Sequence, residues 1–105
     1  MNWYHYLAAV GAGFFLGNAV PHFVAGSMGQ MFPSPFADPP GVGLSSPLTN
    51  VLWGLANIVV SYVLWRVGKV GPSNRGSMIA AFFGLAILGV MTSLFFGNAL
   101  GNPSL

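Results

Sequence analysis

The sequence predicts an all-α membrane protein with three transmembrane helices. Three observations carry that prediction. Only four of 105 residues are charged (Asp38, Arg66, Lys69 and Arg75), while hydrophobic residues make up 54%. A soluble domain of this size carries about a quarter charged residues to cover its surface. Three apolar runs reach the roughly 20 residues needed to cross a hydrocarbon core. Each run is bounded by turn-forming residues, and none holds Asp, Glu, Lys or Arg in its interior. We read residues 1–105 as a single transmembrane domain.

Span one covers about 3–26. It lacks a basic leader and an A-x-A site, and its apolar run is long for a signal peptide, so it is expected to be retained. Span two covers about 47–67. Ser46 is placed to cap it, and Pro47 suits the first helical position, where no N–H is needed. Span three covers about 77–100. It follows the turn cluster Gly71, Pro72, Ser73 and Asn74, and gives way to Gly97, Asn98, Gly101, Asn102 and Pro103.

All three basic residues lie in or beside the 66–77 connection, and the 27–46 connection has none. The positive-inside rule therefore puts the N-terminus and the 66–77 loop in the cytoplasm, and the 27–46 loop and C-terminus outside. Trp3, Tyr4 and Tyr6, and again Tyr62 and Trp65, fit aromatic belts at the membrane surface. The net charge of +2 is no nucleic-acid signal, because three basic residues neutralise too few phosphates. The absence of cysteine removes disulfides and thiolate chemistry.

With this orientation, polar residues of all three spans collect in the outer half: Asn18 and His22, then Asn50 and Asn57, then Thr92, Ser93 and Asn98. In span two, Asn50, Gly54, Asn57, Ser61 and Gly68 fall on one stripe. In span one, Gly11, Phe15, Asn18 and His22 share a face, and Ala9, Gly13 and Gly17 form a second, small face. Span three offers Gly76, Ala80 and Gly84, then Gly89, Ser93 and Gly97. Small faces let helices approach closely, and polar side chains bond across them. Gly13, Gly17, Gly54, Gly84 and Gly89 are the expected packing positions. Two small faces on span one point to more partners than the chain supplies, hence to other membrane subunits or to further copies of itself. The stretches Phe14–Val20 and Phe95–Leu100 also echo each other as a parallel repeat would.

Pro21 and His22 form the sharpest local feature. Pro21 leaves the Gly17 carbonyl without its helical donor. An ionisable group inside a membrane is a candidate functional site. His22 is a candidate ligand of haem or of a pigment magnesium, or a proton relay or substrate contact; as a packing residue it would be neutral and bonded to its neighbours. His5 lies about 25 Å along the same helix, too far to share a metal with it. The 30–46 segment, with Pro33, Pro35, Pro39, Pro40, Gly41 and Gly43, is expected to lack regular structure. Its Phe32 and Phe36 suggest a segment lying on the membrane or folded over the polar layer. Asp38, His22 and Ser45 or Ser46 can be drawn as a hydrolytic triad, but Ser46 has a capping role and no nucleophile elbow is present.

The stretch Pro21-His22-Phe23, Phe32-Pro33, Pro35-Phe36-Ala37, Pro39-Pro40-Gly41, Ser45-Ser46-Pro47 and Asn50-Val51-Leu52-Trp53-Gly54 resembles small bacterial integral membrane proteins of unassigned function. The resemblance covers about a third of the chain. It implies a bacterial inner membrane and carries no activity. Three functions compete. The first is a non-enzymatic accessory or assembly subunit of a larger membrane complex, favoured by the spare small faces. The second is a homo-oligomeric channel or small transporter lined by the Asn50/Asn57 stripe, though coupled transport usually relies on membrane carboxylates and the spans have none. The third is a haem- or pigment-binding subunit using His22. An enzyme ranks last, since no acid/base pair or metal cluster is visible in the sequence.

Overall fold

In the computed structural model, which describes residues 1–103, the chain forms α1 (Trp3–Ser27), α2 (Pro47–Val67) and α3 (Arg75–Ala99). All three are long and apolar enough to cross a membrane. This is the architecture of a small multi-pass helical membrane protein. The helix ends agree with the expected spans to within about two residues. Ser46 caps α2 by accepting a hydrogen bond from the Thr49 backbone N–H at 3.1 Å, and Pro47 occupies the first turn. Helix α1 runs unbroken through Pro21.

Helix α1 lies in the middle, packed on α2 along one side and on α3 along another, while α2 and α3 barely touch. The molecule is accordingly flat, 42 × 30 × 21 Å. Its core is built from small residues: Ala8, Ala9, Ala12, Ala19 and Ala25 of α1 and Ala81 of α3 are buried, whereas most large apolar side chains point outward. That inversion of the soluble pattern fits a lipid surround, where packing rather than hydrophobic burial holds helices together.

The connection between α1 and α2 is more regular than its prolines predict. Phe32–Pro33 (β1) pairs antiparallel with Leu44–Ser45 (β2), with Phe32 opposite Ser45. Pro33 is tolerated because a two-stranded ribbon is all edge, where a missing N–H costs least. The Ser34 and Ser45 hydroxyls bond to each other in a buried pair beside the ribbon. The connection between α2 and α3 is a tight turn in which Lys69 adopts a positive φ of 53°. It is tied down by the Ser77 hydroxyl, which donates to the Gly68 carbonyl at 2.8 Å.

Candidate functional site

The polar layer gathers on the α1–α2 side. The buried residues of α2 are Asn50, Gly54, Asn57 and Ser61, and all of them face α1. A 4-3-4 spacing averages close to the 3.6-residue turn, so such a stripe stays on one side of a helix. Gly68 extends it, with its backbone against Ala9. Three rungs cross the seam. The Ser61 hydroxyl donates to the Ala12 carbonyl at 2.7 Å, the Asn18 amide donates to Asn57 Oδ1 at 3.0 Å, and His22 Nδ1 meets Asn50 Oδ1 at 2.8 Å. Gly54 lies between the last two, where a Cβ would reach the Phe23 backbone nitrogen at 2.9 Å.

This network fixes which atoms donate. Asn50 Nδ2 has three carbonyls around it, Phe32 at 3.0 Å, Ser45 at 3.2 Å and Ser46 at 3.1 Å. Carbonyls only accept, so the amide NH2 must face them and Oδ1 must face His22. His22 therefore donates from Nδ1, and in the neutral imidazole Nε2 carries the free lone pair. Asn57 is oriented in the same way: its NH2 donates to the Trp53 carbonyl at 2.8 Å and its Oδ1 accepts from Asn18, which leaves Asn18 Oδ1 as a free acceptor. Backbone carbonyls thus set the polarity of four side chains.

Aromatic rings close around His22. Phe32, Trp53 and Phe96 stand edge-on to its ring at centroid distances of 5.5, 6.5 and 5.8 Å, and Phe36 stacks edge-on against Trp53 at 5.2 Å. Phe32 and Phe36 come from the α1–α2 connection, which is folded over the polar layer. His22 is left 1% exposed. The Trp53 indole N–H is buried without a partner among the described residues. A cavity of about 170 Å³ is lined by Asn18, His22, Ser34, Pro35, Gly41, Trp53, Phe95 and Phe96.

Several sequence expectations fall elsewhere. Thr92 bonds to the Leu88 and Gly89 carbonyls and Ser93 to the Val90 carbonyl, all within α3, and Asn98 is exposed. These three do not join Asn18, His22, Asn50 and Asn57. The reason is that α3 splays away from α1 in its second half and keeps contact there through the Phe96 ring. Beyond Leu88, the last buried residue of α3, Gly89 and Gly97 face open space. Gly89 therefore packs against nothing among the described residues. Of the expected face Gly76, Ala80 and Gly84, only Gly84 is buried. The buried side of α3 is Ser77, Ala81, Gly84 and Leu88. A strict i+4 series drifts about 80° around the helix over eight residues and so leaves the seam. Gly13 and Gly17 meet α3 at Ala81, Leu85 and Leu88.

Three functional expectations also change. The Asn50/Asn57 stripe is 0% and 1% exposed and faces α1, so it cannot line a pore between copies. Both small faces of α1 are filled by the chain's own α2 and α3, so they call for no outside partner. His22 does not hold a triad: its Nδ1 goes to Asn50, Ser45 pairs with Ser34 and Ser46 caps α2. Nor does the site fit a haem or pigment macrocycle, which needs an open plane beside the ligating nitrogen, whereas His22 is enclosed by three rings and a cavity of about 170 Å³.

Sequence reasoning missed Trp53 and Ser34, and named Ser45 only as an alternative triad hydroxyl. The fold of the connection pairs the two serines beside the polar layer, and α2 carries Trp53 to His22. Trp53 had one available signal, since it stands one turn before Asn57 and one residue from Gly54, at the edge of the polar stripe.

Compared with known protein families, with characterised proteins and with solved structures, the chain matches none. The resemblance to small bacterial membrane proteins therefore holds only in its coarse form, a small protein of three helices long and apolar enough to cross a membrane.

Proposed function

We propose that the chain is a non-enzymatic accessory or assembly subunit of a larger membrane complex, docked through the second half of α3. One observation carries this reading. The other glycines of the helices each have a neighbour within about 3 Å of where a Cβ would stand, but Gly89, Ser93 and Gly97 lie exposed or half-buried, with nothing within 4 Å of a Cβ at either glycine. In lipid a small-residue face earns its place by admitting another helix. The first half of α3 packs backbone to backbone on α1, whereas the second half reaches α1 through the Phe96 ring and leaves Gly89, Ser93 and Gly97 uncovered among the described residues. The proposed setting is a bacterial inner membrane. The N-terminus and the α2–α3 connection, with Lys69 between Arg66 and Arg75, face the cytoplasm; the α1–α2 connection and the C-terminus face outward.

Mild-detergent purification with mass determination tests the assembly. A particle carrying foreign subunits, lost in Gly89→Leu, is the expected result. A homo-oligomer would replace the foreign partner by a second copy, and a monomer would overturn the reading. Orientation is tested separately by single cysteines. Gln30 and Ser73 are exposed in the two connections, and Gln30→Cys and Ser73→Cys should label from opposite sides of the membrane with an impermeant reagent.

A further inference from the structure

The cavity beside His22 has a polarity that the rest of the fold imposes and does not use. Its walls are mostly ring surface from Trp53, Phe95 and Phe96. Three hydrogen-bonding atoms on its lining residues are unpartnered among the described residues. His22 Nε2 is an acceptor, because Nδ1 is committed to Asn50 Oδ1 at 2.8 Å. Asn18 Oδ1 is an acceptor, because the Asn18 amide donates to Asn57 at 3.0 Å. The Trp53 indole can only donate, and its N–H is buried without a partner. Leaving a buried donor unpaired is costly, so its retention calls for an occupant.

We infer that this cavity binds one small uncharged molecule with an apolar body and a hydroxyl group, which accepts from Trp53 Nε1 and donates to His22 Nε2 or Asn18 Oδ1. A hydroxyl both donates and accepts, so its oxygen can take the indole N–H while its single proton goes to one of the two acceptors. A cation is disfavoured because it cannot accept from the indole and finds no carboxylate among the lining residues. The volume sets the size. A cavity of ~150 Å³ holds a benzene, and this one measures about 170 Å³, so a phenol-sized molecule fills it. Gly41 of the α1–α2 connection stands beside the half-exposed Phe95 of α3, and a Cβ at Gly41 would sit 3.4 Å from the Phe95 ring, so we assign entry to this edge of the lining. The hydroxyl can come from a free solute or from a lipid headgroup reaching that edge.

The test uses the full chain, ¹⁵N-labelled, in nanodiscs of phosphatidylcholine, with phenol as the probe and benzene as its isostere. Phenol should shift the Trp53 Nε1–H and His22 imidazole resonances saturably, and benzene should bind at least about tenfold more weakly, the worth of one hydrogen bond. Trp53→Phe keeps a ring and removes the donor. Read at the His22 imidazole, it should weaken phenol about tenfold and leave benzene unchanged. If that variant does not fold, the phenol and benzene comparison in the unaltered chain decides alone. Nanodiscs containing phosphatidylglycerol distinguish the sources: cross-peaks from the indole N–H to glycerol protons, with weakened phenol binding, assign the site to a headgroup hydroxyl. Equal affinity for phenol and benzene overturns the proposal. So does the absence of any saturable shift in both kinds of nanodisc, or an indole N–H that keeps its cross-peak to a trapped water at saturating phenol.

Discussion

The two seams of α1 hold by different means. Against α2, three side-chain rungs cross at Ser61, Asn57 and Asn50, spread over three turns. Against α3, no side-chain hydrogen bond crosses between the helices among the described residues. There the backbones themselves touch, because Gly13 lies against the Ala81 carbonyl and Gly84 against the Val10 carbonyl, so that a single methyl at either position has no room. Both seams answer the same problem. Lipid tails are as apolar as leucine, so helices associate through close packing and polar bonds. The α1–α3 seam uses the first device and the α1–α2 seam the second. The contrast predicts that the α1–α3 seam fails through volume and the α1–α2 seam through chemistry.

The largest effect is expected at Gly84. Gly84→Leu drives a side chain into the Val10 and Phe14 backbone, and the helices can only separate. We expect a loss of about 3 kcal/mol, the upper end for overpacking a tight site. Unfolding in mixed micelles measures it. Disulfide trapping between cysteines on α1 and α3 should fall while trapping between α1 and α2 persists. Retained α1–α3 trapping would mean that this seam is looser than its backbone contacts imply.

Asn50→Leu comes next and should be the most harmful change on the polar side. It removes the partner of His22 and of the Phe32, Ser45 and Ser46 carbonyls together. Interhelical hydrogen bonds in membranes average about 0.6 kcal/mol each and reach roughly 1.7. Four lost contacts in a buried site therefore amount to about 2 kcal/mol. The α1–α2 connection should also loosen, because Asn50 ties both of its strands to α2, and its amides should exchange faster with solvent. Asn57→Leu removes one rung and one bond to its own helix, and should cost about 1 kcal/mol. A double-mutant cycle with Asn18→Ala should give a coupling near 0.6 kcal/mol. A coupling of zero would deny that this pair holds the seam.

These seams were unequally legible in the sequence. The helices could be read nearly to their ends, because charge content and turn residues mark them without any tertiary knowledge. The α2 stripe was legible because Asn50, Gly54, Asn57, Ser61 and Gly68 keep near-helical spacing on a helix with one partner. Helix α3 was misread because its glycines follow an i+4 series that drifts, and because nothing in the sequence says that α3 splays from α1 after Leu88 and touches it there through Phe96. The surroundings of His22 were the least legible part. Its place on one helical face with Asn18 followed from spacing, but the hydroxyl pair Ser34–Ser45 and the rings of Phe32 and Phe96 arrive through the path of a proline-rich connection and the tilt of a third helix. Neither is encoded in any local pattern.

The smallest effect separates the two devices most cleanly, because it compares one residue type in two places. The Ser61 hydroxyl crosses to α1 at the Ala12 carbonyl, 2.7 Å away, in a site 4% exposed. The Ser93 hydroxyl turns back to the Val90 carbonyl of its own helix, 2.8 Å away, and is exposed. Both substitutions to alanine delete the same atom and change side-chain volume equally. Ser61→Ala removes an interhelical bond and should cost about 0.6 kcal/mol. The Ala12 carbonyl already accepts within α1, so no buried donor is stranded and the loss stays small. Ser93→Ala removes a bond that tends to bend a helix rather than join two, and its effect on unfolding should lie within about 0.5 kcal/mol of zero. Paired unfolding curves in one micelle composition resolve the difference. If Ser93→Ala costs as much as Ser61→Ala in the isolated chain, then the second half of α3 is already packed against something. The open face on which the docking reading rests would then be closed.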